Sequence, residues 1–476
     1  MRDDKDNTGT KGDAATRLGV EPVGKLLVRF SLPAMTGMIV NALYNIVDRI
    51  FVGRAVGEAA LGGLALVMPV MTIVMAFSVL FGIGSANLIS MRLGQERRAD
   101  AENALNHCFW LLILSGALLT ALGILFIEPI LSVLGAQDGS DSIDYARRFL
   151  RIILFGAVFF LMGLGFSHCT RAQGFPTVSM LSFVLGAVVN VVLVPIFLFV
   201  FEWNVEGAAL GTVIAQAATV AFILVFGFSK RAVLRLRPFS IKPSLKAITQ
   251  IVSFGSAQFL LQFAMSFVML IYNIFMSAYG VNELGSANGG DVALSGMNIV
   301  NSVNMLIVMP IFGINQGAQP LLGFNYGAKK FGRVLGTYVR AVIAATAIGC
   351  IGFALLHIFP EQIVRLFAPN GSRAILEFTP AAMRIATLTL PIVGFQVVSA
   401  NMFVVTGRPK TSVILSMMRQ FILLVPCIFL FGRLWGLDGV IAAAPAADAM
   451  AVILTTILIV IELKKLRAQR AAEANE

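Results

Sequence analysis

One carboxylate stands where the chain offers little water. Asp48 lies in the stretch ALYNIVDRIFVG (residues 42–53), near the end of a run that is apolar from SLPAM onward. An ionisable side chain within a bilayer costs about 2.5–3.5 kcal/mol on insertion scales, so its presence calls for a reason. Asn45 is close beside it and Asn41 lies two helical turns before it, while Asn190 and Thr212 offer further oxygens in later apolar runs. An acid among amide and hydroxyl oxygens can carry a proton. It can also ligate Na+, a hard cation that prefers oxygen donors. The plainer alternative is an acid held by Arg49 or by capping contacts.

Two further charges fall in mid-run, Arg419 and Asp448. They can form a buried ion pair, or they can line a substrate cavity. The seventh apolar run has no acid but carries Gln258, Gln262 and Asn273, so the two halves of the chain differ chemically. His107, His168 and His357 fall near the ends of runs, where they read as interfacial side chains. The four cysteines have neither zinc-site nor disulfide-framework spacing and read as buried apolar thiols. GFNYGAKK (323–330) lacks the spacing of a phosphate-binding loop, so no nucleotide site and no resident cofactor are expected. Neither paired acids nor a nucleophile with its base stand within a run, which argues against an enzyme.

The elements that must position these groups are membrane helices. The chain has 476 residues, is 58% hydrophobic and 13% charged, and has a mean hydropathy of +0.85. Twelve apolar runs are long enough to cross hydrocarbon as helices, among them 149–170, 292–314, 380–406, 412–431 and 436–461. With the N-terminus inside, 26 of the 36 Lys and Arg fall on the cytosolic side, 8 outside and 2 within runs. That asymmetry places both termini in the cytoplasm. The polar N-terminal tail has no signal-peptide pattern. The charge of +11 is then a topology signal, and its spread over seven segments argues against nucleic acid as a partner.

The chain repeats itself. GSANLISMRLG (84–94) aligns with GAQPLLGFNYG (317–327), and GFP (174–176) with GRP (407–409), both at an offset of 233. WNVEG (203–207) aligns with WGLDG (435–439) at 232. The expected fold is therefore an all-α polytopic membrane protein, with twelve helices in two six-helix lobes related by a pseudo-two-fold axis along the membrane normal. The expected parts are a cytosolic tail (1–30), an N-lobe (31–228), a cytosolic linker (229–249), a C-lobe (250–462) and a cytosolic tail (463–476).

PVGKLLVRFSLPAMTGMIVNALYNIVDRIFVG, GAQPLLGFNYGAKK, SMMRQFILLVP and GLDGVIAAAPAAD occur in this order within residues 21–462. Together with the repeat, they make the chain resemble the multidrug and toxic compound extrusion (MATE) transporters, in their MepA-like branch. The resemblance implies an exporter in the plasma (inner) membrane of a prokaryote, surrounded by lipid, with the oligomeric state left open and a monomer as the default expectation. It implies export of amphipathic, cationic organic compounds in exchange for H+ or Na+, by alternating access of two lobes. It assigns cation coupling to Asp48, Asn190 and Thr212, with Asn45 beside them. Many relatives carry a second acid four residues after the matching Asn, where this chain has Val194. One carboxylate offsets Na+ dehydration less well, which favours H+. Alternatives are a flippase for a lipid-linked precursor, or an exporter of one endogenous metabolite.

Overall fold

A computed structural model describes residues 16–133, 141–237, 244–283, 289–368 and 372–473. The first fifteen residues of the expected N-terminal tail, residues 238–243 of the linker and the last three residues lie outside the described residues. No strand occurs among the described residues. Lipid cannot satisfy an open sheet edge, whereas a helix satisfies its own backbone.

Pro22 precedes the first long helix, α1 (Val23–Ala55), which therefore starts inside the expected tail. There follow α2 (Glu58–Gly94), α3 (Arg98–Leu125), the short α4 (Ile127–Val133), α5 (Asp141–Phe155) and α6 (Ala157–Ala172). Next come α7 (Pro176–Pro195), a π-helical turn (Ile196–Val200) and α8 (Asn204–Phe228). The second repeat is built from α9 (Leu245–Glu283), α10 (Gly289–Gly327), α11 (Phe331–Ile358) and the short α12 (Pro360–Phe367). It continues with α13 (Arg373–Ala386), α14 (Leu390–Val405), α15 (Pro409–Met417), a π-helical turn (Met418–Leu424) and α16 (Val425–Glu473). Among the described residues, nine helical runs are long and apolar enough to span a membrane, and two bent pairs raise this to eleven. The run 409–472 is broken by non-helical Trp435 and Gly436, and counting it as two spans gives twelve.

The repeat holds in detail. The α3 and α11 helices are each 28 residues long and start 233 residues apart (98 and 331). The expected span 149–170 is two helices, α5 and α6, bent by 55° around Gly156. Its counterpart is α13 and α14, bent by 45° just before Pro391, whose ring bars a continuous ladder. Gly174 (φ +99°) and Gly407 (φ +77°) make the same left-handed turn in GFP and GRP. In each copy the Pro then starts the next helix. Helix contacts repeat as well. A Cβ on Gly116 would lie 2.8 Å from the Val158 Cα, and one on its counterpart Gly349 would lie 3.2 Å from the Pro391 Cα. Such backbone-distance packing supplies the attraction that the hydrophobic effect cannot supply in lipid.

The outward faces fit a hydrocarbon solvent. Leu114, Leu118, Leu122 and Leu125 form an exposed stripe along α3. The expected span 292–314 continues as α10 to Gly327, through Pro310 and Pro320. The chain packs as two units. The first takes residues up to Phe259 together with Gln319–Lys329, and the second takes Leu260–Ala318 and Lys330 onward. The first has a core around Val52, Leu150, Val194 and Val205, and the second one around Met276, Val300, Ile428 and Val440.

Candidate functional site

Residues 41, 44, 45 and 48 follow one face of α1, at the i, i+3, i+4, i+7 spacing of a helical stripe. Asn41 and Tyr44 line a cavity of about 100 Å3 in the first unit. Asn190 of α7 and Thr212 of α8 line it too, and the Asn190 Nδ2 donates to the Thr212 Oγ1 at 3.2 Å. Asn190 is almost wholly buried, so this bond satisfies an amide with little access to water. Further along α8, Gln216 and Thr219 follow Thr212 by four and seven residues and also face the cavity. The Gln216 Oε1 is buried without a hydrogen-bond partner among the described residues. Gly186 of α7 lies so close to the Thr219 Oγ1 that a Cβ there would collide with it, so α7 and α8 meet at the cavity floor. Met75, Phe159, Phe160, Leu164 and Phe183 complete an apolar, aromatic wall.

Asp48 stands one turn beyond Tyr44 and is not part of the cavity lining. Its Oδ1 is buried and has no hydrogen-bond partner among the described residues. Arg49 does not pair with it among the described ion pairs; its Nη2 donates to the Met68 Sδ at 3.3 Å. The structure thus joins Asn190 to Thr212 and leaves Asp48 unbonded to either. The Asn45 side chain lies outside what is described. Val194 is fully buried in the core of the first unit, and a Cβ on Gly211 would lie 2.7 Å from its Cγ2.

In the second unit, the Arg419 Nε donates to the Asp448 Oδ1 at 2.6 Å, and the Thr389 Oγ1 donates to the Asp448 Oδ2 at 3.3 Å. Arg419 sits on the π-helical turn, a backbone form concentrated at functional sites. Gln258 is half-buried and Asn273 exposed, and neither is bonded to this pair among the described residues. A second ion pair joins the Arg408 Nη1 to the buried Glu462 Oε2 at 2.6 Å. The His107 Nδ1 donates to the Asn103 carbonyl (2.8 Å) and its Nε2 accepts from the Ser244 backbone N–H (3.1 Å), so its ring is neutral. The His168 Nδ1 accepts from the Arg171 guanidinium at 2.7 Å. Cys108, Cys169 and Cys427 are buried free thiols, and Cys350 is an exposed one. Among the described residues, no group of three or more His, Cys, Asp or Glu could hold a metal.

Nothing in the sequence alone singles out Tyr44, Gln216 and Thr219, beyond the helical spacing of the last two from Thr212. Being uncharged, they carry no insertion cost to draw notice.

The model of one protein family, MatE, matches the chain twice, at residues 33–196 and 257–430, once in each repeat and together well over half of the chain. The chain belongs to the MatE family. Members of this family are membrane transporters rather than enzymes. The chain is 25% identical to the multidrug export protein MepA of Staphylococcus aureus (strain NCTC 8325) over 438 residues, covering 92% of this chain and 94% of that protein. It is 24% identical to MepA of Staphylococcus haemolyticus, covering 94% and 96%. A solved outward-facing conformation of a multidrug resistance MATE transporter matches with a TM-score of 0.87 at 25% identity, covering 96% of this chain and 99% of that one. A transporter from Pyrococcus furiosus, described as having a binding pocket of reversed polarity, matches equally well in TM-score and identity, covering 95% and 98%. The MatE assignment thus rests on sequence and fold together.

Proposed function

We propose that this MatE-family chain is a secondary active exporter of amphipathic, cationic organic compounds, coupled to H+ through Asp48. The observation that carries the reading is an orphaned, buried carboxyl oxygen on the same helical face as Asn41 and Tyr44, one turn from an amphipathic cavity. The cavity offers amide and hydroxyl groups from Asn41, Asn190, Thr212 and Gln216 beside the rings of Tyr44, Phe159, Phe160 and Phe183. Aromatic faces attract organic cations without a carboxylate, and few fixed polar groups permit several ligands. The similarity to multidrug export proteins supports the same reading.

Asp48 takes up a proton from outside, and its neutralisation lets α1 repack against the helices that carry Asn190 and Thr212. That repacking reshapes the cavity and releases the substrate outward. The proton then leaves to the cytosol as the two repeats exchange access. Exchange of one H+ for one monovalent cation moves no net charge, so the pH gradient drives it, at about 1.4 kcal/mol, or about tenfold in substrate gradient, per pH unit. H+ is favoured over Na+ because the site has one carboxylate and Val194 is sealed in apolar packing.

The test is efflux of a fluorescent organic cation from proteoliposomes, with a pH gradient and a Na+ gradient imposed separately. Wild type should respond to pH, and Asp48→Asn should lose that response. Full gradient dependence in Asp48→Asn would sink the role of Asp48. A second reading, export of one small endogenous metabolite, is favoured by the cavity volume. At about 100 Å3 it is below the about 300–1,000 Å3 of drug-sized sites. Transport of small aromatic metabolites, with none of the larger cations moved, would select it.

A further inference from the structure

A second cavity, of about 120 Å3, lies at the opposite end of the first unit, at the end that the Lys and Arg asymmetry assigns to the cytosol. Its wall is formed by Leu88 and Arg92 at the end of α2, Arg97 in the turn, Asp100 and Asn103 at the start of α3, and Ser244, Lys246, Ala247 and Gln250 at the start of α9. A water needs only about 10–15 Å3, so the cavity has room for a polyatomic ion.

Its charge is unbalanced. Arg92, Arg97 and Lys246 bring three cations, and Asp100 brings one carboxylate, so the lining carries +2. Asp100 serves Arg97, whose Nη2 lies 2.5 Å from its Oδ2. Arg92 has uncharged partners, donating to the Gln95 Oε1 at 3.0 Å and to the Gln250 Oε1 at 3.3 Å. No described ion pair neutralises Arg92 or Lys246. Like charges that converge on one recess repel one another, and an anion between them removes that repulsion. The uncharged part of the wall, Asn103, Ser244 and Gln250, consists of groups that can donate to anionic oxygens. Neighbouring His107 is in its neutral form and adds no charge.

We infer that this recess binds a phosphate group, carried either by an anionic lipid headgroup or by a soluble phosphate. Two guanidinium forks and an ammonium suit the several oxygens of a phosphate, and basic pockets between membrane helices at the cytoplasmic side take phospholipid headgroups. The ligand bridges the end of α2, the first turn of α3 and the first turn of α9, three pieces of one packing unit. Its effect is to hold α9 against α2, where the Arg92–Gln250 bond already joins them. None of these residues belongs to the proposed transport site, so binding is independent of the coupling reading.

The experiment is thermal unfolding of the purified, delipidated protein with two probes. One is inorganic phosphate against chloride at matched ionic strength. The other is nanodiscs containing phosphatidylglycerol against nanodiscs of phosphatidylcholine alone. A rise in Tm with phosphatidylglycerol and not with inorganic phosphate identifies a lipid headgroup; a rise with inorganic phosphate identifies the soluble source. In either case Lys246→Gln and Arg97→Gln, both at exposed positions, should weaken the response about tenfold. Asp100→Asn, which removes the one adverse charge, should strengthen it. Lys464→Gln/Lys465→Gln, which removes two cations elsewhere on the chain, should leave it unchanged. No rise with either probe, or a rise undiminished in Lys246→Gln/Arg97→Gln, overturns the inference.

Discussion

At the scale of single residues, the cavity in the first unit depends on a few uncharged bonds. Thr212→Val removes the acceptor from a buried amide while keeping the volume of the side chain. The stranded Asn190 should cost about 1–3 kcal/mol, measured as a lower Tm, and Thr212→Ser should restore it. Val194 faces Gly211 with no spare room. Val194→Leu should therefore overpack the core of the first unit, by about 1–3 kcal/mol on unfolding in denaturant. What the sequence revealed at this scale followed cost. Asp48, Arg419 and Asp448 stood out because a charge in an apolar run needs a reason. Tyr44, Gln216 and Thr219 did not stand out, because a hydroxyl or amide in a membrane helix is ordinary until its neighbours are known. The Arg408–Glu462 pair carries no such signal, since both residues fall near helix ends where charges are expected.

At the scale of elements, the Arg419–Asp448 bond ties a π-helical turn to the second part of α16. Arg419→Met leaves the Asp448 carboxylate buried with only Thr389 as a partner. The expected loss is about 3–5 kcal/mol, and Arg419→Met/Asp448→Leu should recover most of it, because the uncompensated charge has gone. A double-mutant cycle on Tm decides between this structural role and a role in substrate binding. In the latter case efflux would fall in both variants even where stability returned. Helix number and order could be read from hydropathy alone, but helix shape could not. Gly156 and Pro391 are two of many helix-breaking residues in the runs, and most of the others are absorbed without a bend: α10 passes through Pro310 and Pro320. Whether a proline bends a membrane helix depends on which neighbours can satisfy the freed backbone groups, and that is a tertiary property.

At the scale of the whole molecule, the offset of 233 in the sequence becomes a repeated set of contacts. Gly116→Val and Gly349→Val should each force α3 from α6, or α11 from α14, and lower Tm. Similar losses at the two positions would show that the copies share their packing energetics as well as their topology. The repeat in sequence gave no hint of how the packing units divide. The first unit is completed by two segments that come later in the chain, the start of α9 and the end of α10. They fit against α2 at backbone distance: a Cβ on Gly84 would strike the Ile251 carbonyl, one on Gly255 the Leu80 carbonyl, and one on Gly94 the Phe324 carbonyl. The Gln319 Nε2 closes the seam by donating to the Asn87 Oδ1 at 2.7 Å. This has a consequence for biosynthesis. A ribosome that has delivered the first six spans has made a half-product whose small-residue groove on α2 is still unfilled, and the groove is filled only once residue 329 has been translated and inserted. Chains truncated after residue 237 should therefore be degraded quickly in the membrane, and chains extended through residue 329 should resist protease, which pulse labelling of the two truncations would measure.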